Sequence, residues 1–198
     1  MNNKIDILIM AAGASRRFGG CKLLTQWRGA PLITYALNTA INLSQQPQLQ
    51  IASLNIVAGA YHDQIRDFLQ QQYPPNHNLI NNPNWSHGLG HSIAHGVSQL
   101  PPENSVLIML ADQPLVAVEA IQRIIQLGVE NPRKIICAEF AETIGVPALF
   151  PGEFKKDLLQ LKGDRGAKVV LIEYESKLVK LPLREAGFDL DLRGDFGV

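Results

Sequence analysis

The sequence contains few cysteines and no excess of charge of either sign. Its 18 basic residues balance 18 acidic ones, so no overall field attracts the chain to nucleic acid or to a membrane, and recognition of an anion must be local. The only cysteines are Cys21 and Cys137, and no apolar leader opens the chain because Lys4 and Asp6 interrupt it. These absences predict a soluble, cytoplasmic protein. The 198 residues, 46% of them apolar, suit a single domain with a well-buried core.

Two common nucleotide-binding motifs are also missing. A dinucleotide fingerprint needs G-x-G-x-x-G between a strand and a helix, whereas the glycines of the first loop lie at positions 13, 19 and 20. A Walker A loop needs G-x-x-x-x-G-K-[ST], but Lys22 lies three residues after Gly19 and is followed by Leu23. The chain fits neither of these phosphate-binding patterns.

The stretch 7–22, ILIMAAGASRRFGGCK, nevertheless has the character of a strand that enters a phosphate-binding loop. Its first four residues are apolar, as expected of a strand that is buried on both faces. The glycines that follow allow successive backbone N–H groups to face an anion. A hydroxyl and three cations are added by Ser15, Arg16, Arg17 and Lys22. This combination favours a polyphosphate ligand, and the alternative is an ordinary Gly-rich turn with solvated arginines.

Helices and strands are predicted in alternation along the chain. Apolar stripes predict helices at about 31–43 and around 65–73, 91–100, 121–125 and 154–161, and apolar runs predict strands at 51–58, 79–80, 106–111, 135–138 and 178–183. This alternation, without an internal repeat, predicts an α/β fold with an open, mostly parallel twisted sheet and helices on both faces. Ligands of such sheets bind outside the carboxyl ends of the strands, where the 11–22 loop and Asp112 would meet.

The run AAGASRRFGGCKLL, followed by GAPLI at 29–33, resembles the signature A-[AG]-G-x-S-x-R-M-G-x-x-K-x-L-L…G-x-P-L of the MobA-like nucleotidyltransferases. Within that superfamily the chain is most similar to the molybdenum cofactor cytidylyltransferase (MocA) group. Phe18 replaces the usual Met, a change of apolar filler. The resemblance implies a Rossmann-like nucleotidyltransferase fold and transfer of CMP from CTP to the terminal phosphate of molybdopterin cofactor, with release of pyrophosphate. Ala12 supports CTP as the nucleotide, since cytidine-using relatives have A-A-G here and guanine-using relatives have A-G-G.

Asp112 directly follows the apolar strand at 106–111, so its carboxylate is held at a rigid sheet edge where it suits Mg²⁺. The segment LADQPLV at 110–116 resembles the metal-binding segment of the family, and the alternative role is a cap on the following helix. A second carboxylate would come from the C-terminal run D-L-D at 189–191, which resembles the family pattern D-[IV]-D-T-P-E-D. The residues LRG at 192–194 depart from that pattern before Asp195, and an exposed acidic tail is the alternative.

Three other segments also match parts of the family pattern. WSHGLGHS at 85–92 resembles the G-x-x-x-S segment that lies over the nucleotide, and GDRGAK at 163–168 resembles G-D-x-G-A-R. GVPALF at 145–150 resembles G-H-P-x-x-F, with Val146 in place of His, so the identity of the acceptor is open. Asp164 suits a helix cap as well as a substrate contact.

Three histidines recur every four residues at positions 87, 91 and 95. A zinc site is not the preferred interpretation, because Gly88 and Gly90 interrupt a helix between the first two and no cysteine or carboxylate joins them. His87 and His91 are instead candidate donors to the phosphate of the second substrate. Cys21, which lies in the phosphate loop, is interpreted as an incidental residue rather than a nucleophile.

The resemblance also assigns roles to individual residues. Lys22 would neutralise the α-phosphate, Arg17 and the loop backbone would hold the β and γ phosphates, and Asp112 with Asp189 or Asp191 would bind Mg²⁺. The predicted nucleotide-binding residues are Ala11, Ala12, Gly13, Ala14, Ser15, Arg17, Lys22, Gly90 and Ser92.

The expected partners are CTP or another nucleoside triphosphate, a phosphate-bearing acceptor identified as molybdopterin cofactor, and a molybdoenzyme client. Neither nucleic acid nor a membrane is expected as a partner. Two alternatives remain open. The first is a nucleotidyltransferase that acts on a sugar or polyol phosphate, and the second is a carrier that binds the cofactor without turnover. Arg17, Lys22 and Asp112 argue against a carrier, since it needs no metal and triphosphate chemistry.

Overall fold

The computed structural model describes residues 4–188 and 190 and confirms the predicted α/β architecture. Its α-helices are α1 Ile33–Ser44, α2 His62–Gln72, α3 Leu89–Val97, α4 Val118–Glu130, α5 Lys155–Leu158 and α6 Lys168–Glu173. Its strands are β1 Ile5–Ala11, β2 Gln26–Trp27, β3 Ala30–Pro31, β4 Ile51–Ala58, β5 Asn78–Asn81, β6 Ser105–Leu110, β7 Ile135–Phe140, β8 Thr143–Phe150 and β9 Leu178–Pro182. None of the helices in this part of the chain is long and apolar enough to cross a membrane.

Seven of the strands form one sheet in the order β5-β4-β1-β6-β8-β7-β9. Strand β1 pairs in parallel with both β4 and β6, and β8 is the antiparallel member between β6 and β7. The chain runs outward from β1 to β4 and β5 and then returns to place β6 on the other side of β1. The order of the strands therefore reverses between β1 and β6, which is the position where open α/β sheets bind ligands.

The sheet is covered on both faces because alternate residues of its central strands point to opposite sides. Ile7 and Ile9 of β1 belong to a core that includes α1, α2 and α4. Leu8 and Met10 belong to a second core that includes α3, α5 and α6. The continuous apolar run at the start of the sequence thus reflects a strand whose side chains pack into a core on each face of the sheet.

Two parts of the chain differ from the elements predicted from sequence. Helix α1 begins at Ile33 instead of near Pro31, because Pro31 pairs with Gln26 in the small β2–β3 hairpin. The turn of that hairpin needs positive φ at Arg28 and Gly29, 46° and 92° respectively. The sequence shows only the motif GVPALF at 145–150 and predicts no strand there, whereas the structure has strand β8 at Thr143–Phe150.

Strand β8 contains a bulge at the edge where the loops of the site gather. Cys137 pairs with Ala148, but the next residue, Ala138, pairs with Gly145, so Val146 and Pro147 have no partner in the ladder with β7. The β7–β8 turn has positive φ at two non-glycine residues, Ala141 (44°) and Glu142 (60°). A bulge of this kind turns a side chain out of the regular alternation and is common beside functional sites.

Candidate active site

The predicted phosphate loop leaves β1 at Ala11 and is held in shape by its own backbone. Ser15 has a φ of 48°, and its carbonyl accepts hydrogen bonds from the N–H groups of Phe18 (2.9 Å) and Gly19 (3.0 Å). The Phe18 side chain is buried and anchors the loop, as expected of an apolar filler. The Tyr61 hydroxyl also donates to the carbonyl of Ala14 (3.1 Å), which fastens the loop to the segment after β4.

Asp112 and Lys22 meet at the switch point between β1 and β6. The Lys22 Nζ lies 2.8 Å from Asp112 Oδ2, and the two side chains are 10% and 23% exposed. A lysine that is this well buried is expected to be paired, and Asp112 supplies the pairing charge. Helix α4 begins at Val118 with Ala117 at its cap position and no side-chain cap, so Asp112 does not cap that helix. The structure therefore rules out the alternative role that the sequence left for Asp112.

A second wall of the site is built around Asn82, which is fully buried. The backbone N–H of Asn82 donates to the carbonyl of Ala58 (2.8 Å), and its side-chain amide donates to Ser92 Oγ (2.9 Å). The Ser92 hydroxyl in turn donates to the carbonyl of Gly88 (3.1 Å). This chain of hydrogen bonds connects β4 and β5 to the first turn of α3. The sequence had singled out Ser92 and Gly88, but not Asn82, which joins them to β4.

The first turn of α3 lies against the loop at 162–166. A Cβ at Gly88 would lie 2.4 Å from the Gly163 carbonyl carbon, and one at Gly90 would lie 2.5 Å from the Arg165 carbonyl oxygen. The Gly90 N–H donates to the Gly163 carbonyl (2.8 Å). Helix α3 begins at Leu89, so Gly88 separates it from His87 as the sequence indicates, whereas Gly90 lies in its first turn and does not interrupt it. The contact brings together the two separate motifs WSHGLGHS and GDRGAK.

These loops enclose a cavity of about 420 Å³ at the carboxyl edge of the sheet. The loop after β1 contributes Ala12, Gly13, Ala14 and Arg16 to its wall, and Asp112 and Asp164 add two carboxylates. Trp85, Ser86, Gly88, Leu89 and Ser92 form the opposite wall. A cavity of this size suits a nucleotide, since small-molecule sites occupy roughly 300–1,000 Å³.

The profile of the MobA-like NTP transferase domain family matches residues 7–178, which include every residue that lines the cavity. The chain belongs to this family. The family is one of nucleotidyltransferases, which use a nucleoside triphosphate. The finer assignment to the molybdenum cofactor cytidylyltransferase group is not part of this finding.

Two kinds of curated relative share part of their sequence with this MobA-like domain. The bifunctional protein GlmU of Legionella pneumophila (strain Lens) is 29% identical over 142 residues, which are 68% of this chain and 28% of GlmU. The purine catabolism protein PucB of Bacillus subtilis (strain 168) is 26% identical over 171 residues, 83% of this chain and 78% of PucB. The chain thus spans little more than a quarter of GlmU, but most of PucB.

Solved structures share the fold over almost the whole chain. Rv0371c of Mycobacterium tuberculosis H37Rv superposes with a TM-score of 0.79 at 23% identity, covering 98% of this chain and 95% of Rv0371c. A manganese complex of Rv0371c also matches, with a TM-score of 0.75, 21% identity and coverage of 98% and 96%. The 4-diphosphocytidyl-2C-methyl-D-erythritol synthase of Anaerococcus prevotii DSM 20548 has a TM-score of 0.74 at 17% identity, with coverage of 98% and 96%. At these identities the likeness concerns the fold alone.

Four of the nine predicted nucleotide-binding residues of this MobA-like domain line the cavity wall, namely Ala12, Gly13, Ala14 and Ser92. The predicted metal ligand Asp112 lines it too. Ala11 is the buried last residue of β1, Ser15 shapes the loop through its carbonyl, and Lys22 is joined to the wall through Asp112.

Arg17 and Gly90 are also absent from the cavity wall. Arg16 rather than its neighbour Arg17 lines the cavity, and Arg17 is exposed, so contact between Arg17 and a bound phosphate remains a prediction. Gly90 packs on the 162–166 loop, and its N–H group is used there, which gives it a structural role in the shape of the site. Asp164 lies at the cavity wall while α6 begins at Lys168 with Ala167 at its cap, so Asp164 does not cap that helix.

The donors at the site suit a hard divalent cation. Carboxylate oxygens are the ligands that Mg²⁺ prefers, and Asp112 presents one at the wall that faces the nucleotide cavity. Within residues 4–188 and 190, no three His, Cys, Asp or Glu side chains are grouped closely enough to hold a metal. A cation at Asp112 would therefore need further oxygens from outside this set of side chains, such as those of a bound triphosphate. The predicted partners Asp189 and Asp191 lie outside the described residues.

Cys21 and the three histidines have environments that bear on their proposed roles. Burial raises the pKa of the Cys21 thiol, which disfavours the thiolate and agrees with an incidental role.

The rings of His87 and His91 meet edge to face with centroids 5.1 Å apart, whereas a ring nitrogen of His95 lies 3.0 Å from the carbonyl oxygen of Asn81. His87 and His91 do not line the nucleotide cavity, so their contact with an acceptor phosphate stays a prediction.

Proposed function

We propose that this protein transfers CMP from CTP to the terminal phosphate of molybdopterin cofactor and releases pyrophosphate. The observation that supports the proposal most strongly is the Lys22–Asp112 pair, 2.8 Å apart at the sheet's switch point and beside the phosphate loop. A cation and an anion at this point suit a triphosphate that arrives with a divalent metal. The motif residues that resemble the cytidylyltransferase group, described above, support the choice of nucleotide and acceptor.

The reaction needs no covalent enzyme intermediate. An oxygen of the acceptor phosphate attacks the α-phosphorus of CTP, the new P–O bond forms, and the bond from the α-phosphorus to the bridging oxygen breaks. The electron pair of that bond leaves with pyrophosphate. The residues of the chain contribute by holding both substrates in line and by neutralising charge. In this scheme Lys22 faces the α-phosphate, and the loop backbone with Arg17 holds the β and γ phosphates.

Asp112 would hold Mg²⁺, with Asp189 or Asp191 as its partner. The ion supplies positive charge to the phosphate oxygens when it is bound. When the metal and CTP are bound, the Lys22 ammonium would leave the Asp112 carboxylate and pair with a phosphate oxygen instead. This exchange keeps the buried ammonium paired in both states, because one anion replaces another.

The direct test is pyrophosphate release by the purified protein with CTP, GTP, ATP and UTP, each combined with a panel of acceptors. Release with CTP and molybdopterin cofactor is the expected result. Release only with a sugar or polyol phosphate would change the acceptor class and leave the transferase reaction intact. Tight binding of the cofactor without release under any combination would indicate a carrier and contradict the proposal.

Lys22→Ala is expected to lower turnover by roughly a hundredfold, or about 3 kcal/mol of transition-state stabilisation. The reason is the loss of one charge that is already positioned at the α-phosphate. Pyrophosphate release at saturating CTP and acceptor measures the effect. Lys134→Ala is a matched control, because Lys134 is exposed just before β7, at the opposite edge of the sheet. Full turnover by Lys22→Ala would show that the assigned role is wrong.

CTP is expected to be used more efficiently than GTP, because the Ala12 methyl group restricts the room beside a purine. Ala12 lines the cavity, and its carbonyl is fixed by a hydrogen bond from the Ala60 N–H (3.1 Å). One methyl-scale contact discriminates by about 1 to 3 kcal/mol, so Ala12→Gly should narrow the preference roughly tenfold or more. The comparison of kcat/KM for both nucleotides in both proteins measures this. Equal efficiencies in the unmodified protein would overturn the expectation.

A further inference from the structure

Residues 183–188, which follow β9, form a segment at the carboxyl edge of the sheet that we call the strap. Its start is fixed because the Leu183 N–H donates to the carbonyl of Glu139 (2.9 Å) in β7. Ala186 in its middle is 3% exposed, and just after it Leu190 is 1% exposed in the core. The strap is therefore held against the rest of the protein at its start, in its middle and beyond its end.

Gln113 connects the strap to the residue that precedes it in sequence, Asp112. The Gln113 side chain is buried, and its amide nitrogen donates to the carbonyls of Ala186 (2.6 Å) and Val146 (3.2 Å). Both amide protons are therefore used, one on the strap and one on the β8 bulge. Because Gln113 directly follows Asp112, these two hydrogen bonds fix the backbone that carries the Asp112 carboxylate.

The strap also contacts the part of the chain that follows Lys22. The ring of Phe188 lies against the buried ring of Trp27, with centroids 6.2 Å apart. Trp27 is fixed in turn by an edge-to-face contact with Tyr35, whose hydroxyl donates to the Trp27 carbonyl (2.7 Å). The strap thus reaches the sequence neighbours of both members of the Lys22–Asp112 pair.

The Lys22–Asp112 pair cannot by itself keep Asp112 in place during the proposed reaction, because Lys22 leaves the carboxylate when the metal and CTP are bound. The carboxylate then needs another support, and the backbone on both sides of Asp112 supplies it. On one side the Ala111 N–H donates to the Met10 carbonyl of β1 (3.1 Å). On the other side the Gln113 amide is bonded to the strap and to β8. A neutral amide suits this task, since a charged side chain there would attract or repel the metal and the phosphates.

We propose that Gln113 is a positioning residue, whose amide holds the Asp112 carboxylate where a divalent cation that arrives with the nucleotide can bind it. The inference rests on the proposed function, since it concerns how that site receives a metal-bound nucleotide. Gln113 acts through the backbone of Asp112 and through the strap. Replacement of partners that orient a metal ligand typically changes metal affinity or activity by about 10- to 100-fold.

The test measures the dissociation constant of CTP by calorimetry, once with saturating Mg²⁺ and once with EDTA. The ratio of the EDTA value to the Mg²⁺ value, here called the metal gain, reports how well Asp112 is placed, and Asp112→Asn should remove most of it. Gln113→Met keeps the length of the side chain but has no donor. It should lower the metal gain by about tenfold or more, and the affinity in EDTA should change by less than about twofold. Gln122→Met makes the same chemical change where the amide donates to Gln46 Oε1 (2.9 Å), away from the nucleotide cavity, and it should keep the full metal gain.

The outcomes separate this inference from the proposed function. The absence of a metal gain in the unmodified protein, an unchanged metal gain in Gln113→Met, or an equal loss of CTP affinity with and without Mg²⁺ in that variant would each overturn the inference. If no combination of nucleotide and acceptor releases pyrophosphate but the metal gain depends on Gln113, the inference stands and the proposed reaction is wrong. Circular dichroism checks that the variants are folded. If Gln113→Met is unfolded, Gln113→Asn decides in its place, because its shorter amide cannot reach both carbonyls and should show the same loss.

Discussion

Replacing Asp112 by Asn is expected to reduce turnover by about two to three orders of magnitude, or about 3 to 4 kcal/mol. Asn keeps the size of the side chain but removes the charge that attracts a divalent cation and pairs with Lys22 at 2.8 Å. The lost ion pair should also lower the free energy of unfolding by about 1.5 to 3 kcal/mol, since hydrogen bonds to charged groups have this size. Initial rates across a Mg²⁺ titration and thermal unfolding measure the two effects.

Asp164→Asn is the matched control for this experiment. Asp164 lines the same cavity, but it is exposed and does not pair with Lys22, so its loss should cost less than about tenfold. Near-normal Mg²⁺-dependent activity in Asp112→Asn would contradict the site as described.

The double substitution of Asp189 and Asp191 by Asn tests the C-terminal carboxylates. It is preferable to truncation, because truncation would also remove Leu190, whose side chain is 1% exposed in the core.

Replacing Asp6 by Asn is expected to lower the free energy of unfolding by about 3 to 5 kcal/mol, although Asp6 lies at the far end of β1 from the site. Asp6 is 1% exposed and accepts hydrogen bonds from Ser53 Oγ (2.7 Å) and Asn104 Nδ2 (3.0 Å). Its Oδ2 lies 3.7 Å from Lys155 Nζ, which also donates to the carbonyl of Pro101 (2.6 Å). Without Asp6, the buried ammonium of Lys155 loses its closest counter-charge and keeps only the weaker influence of Glu103 among the described residues. The melting temperature should fall by roughly 10 °C.

Two comparisons make this stability prediction specific. Lys155→Met combined with Asp6→Asn should recover much of the loss, because it removes the uncompensated charge. Glu130→Gln breaks the exposed Arg123–Glu130 pair and should cost no more than about 1 kcal/mol. A loss below 1 kcal/mol in Asp6→Asn would show that the pair is not required. Turnover of Asp6→Asn at low temperature should be normal.

The pH dependence of unfolding gives an independent signature of Lys155. Burial lowers the pKa of Lys155 below its usual value of 10.5, and the charge of Asp6 opposes that shift. Between the lowered pKa and 10.5 the unfolded chain binds more protons than the folded one, so stability rises with pH in that window. Removal of Asp6 takes away the negative charge that opposes the shift. The pKa of Lys155 should then fall further, and the pH window should widen. Asp6→Asn should therefore gain stability relative to the unmodified protein as the pH rises toward 10.5.

The fold could be predicted from sequence because its central strands are continuous apolar runs. Residues 7–10 and 106–111 have the pattern of strands that are covered on both faces, and the two motifs that follow such strands are expected to meet at one edge. This reasoning placed the phosphate loop and Asp112 on the same side of the sheet. It also singled out Lys22 and Asp112 before their direct contact was seen.

The features of the fold and site that the sequence does not predict depend on contacts between distant residues, and such contacts leave no local sequence pattern. Strand β8 was missed because its turn uses Ala141 and Glu142 at positive φ, where Asn-Gly would have been recognisable, and because Pro147 argues against an interior strand. Asn82 acts through partners in β4 and α3 that are distant in sequence. The packing of Gly90 on Gly163 joins segments more than seventy positions apart. The spacing of residues in the sequence carries no information about such long-range contacts.

The order of the strands divides the chain into two consecutive halves at Asp112. All the strands on the β1 side of the sheet, together with β6, precede this residue, and β7, β8 and β9 follow it. The β7–β8 hairpin extends past the carboxyl edge, and its tip can change in length or sequence without shifting the register of the parallel strands. The wall that Phe140, Thr143 and Ile144 form in a second cavity beside the nucleotide cavity can therefore change while the phosphate loop and Asp112 keep their places.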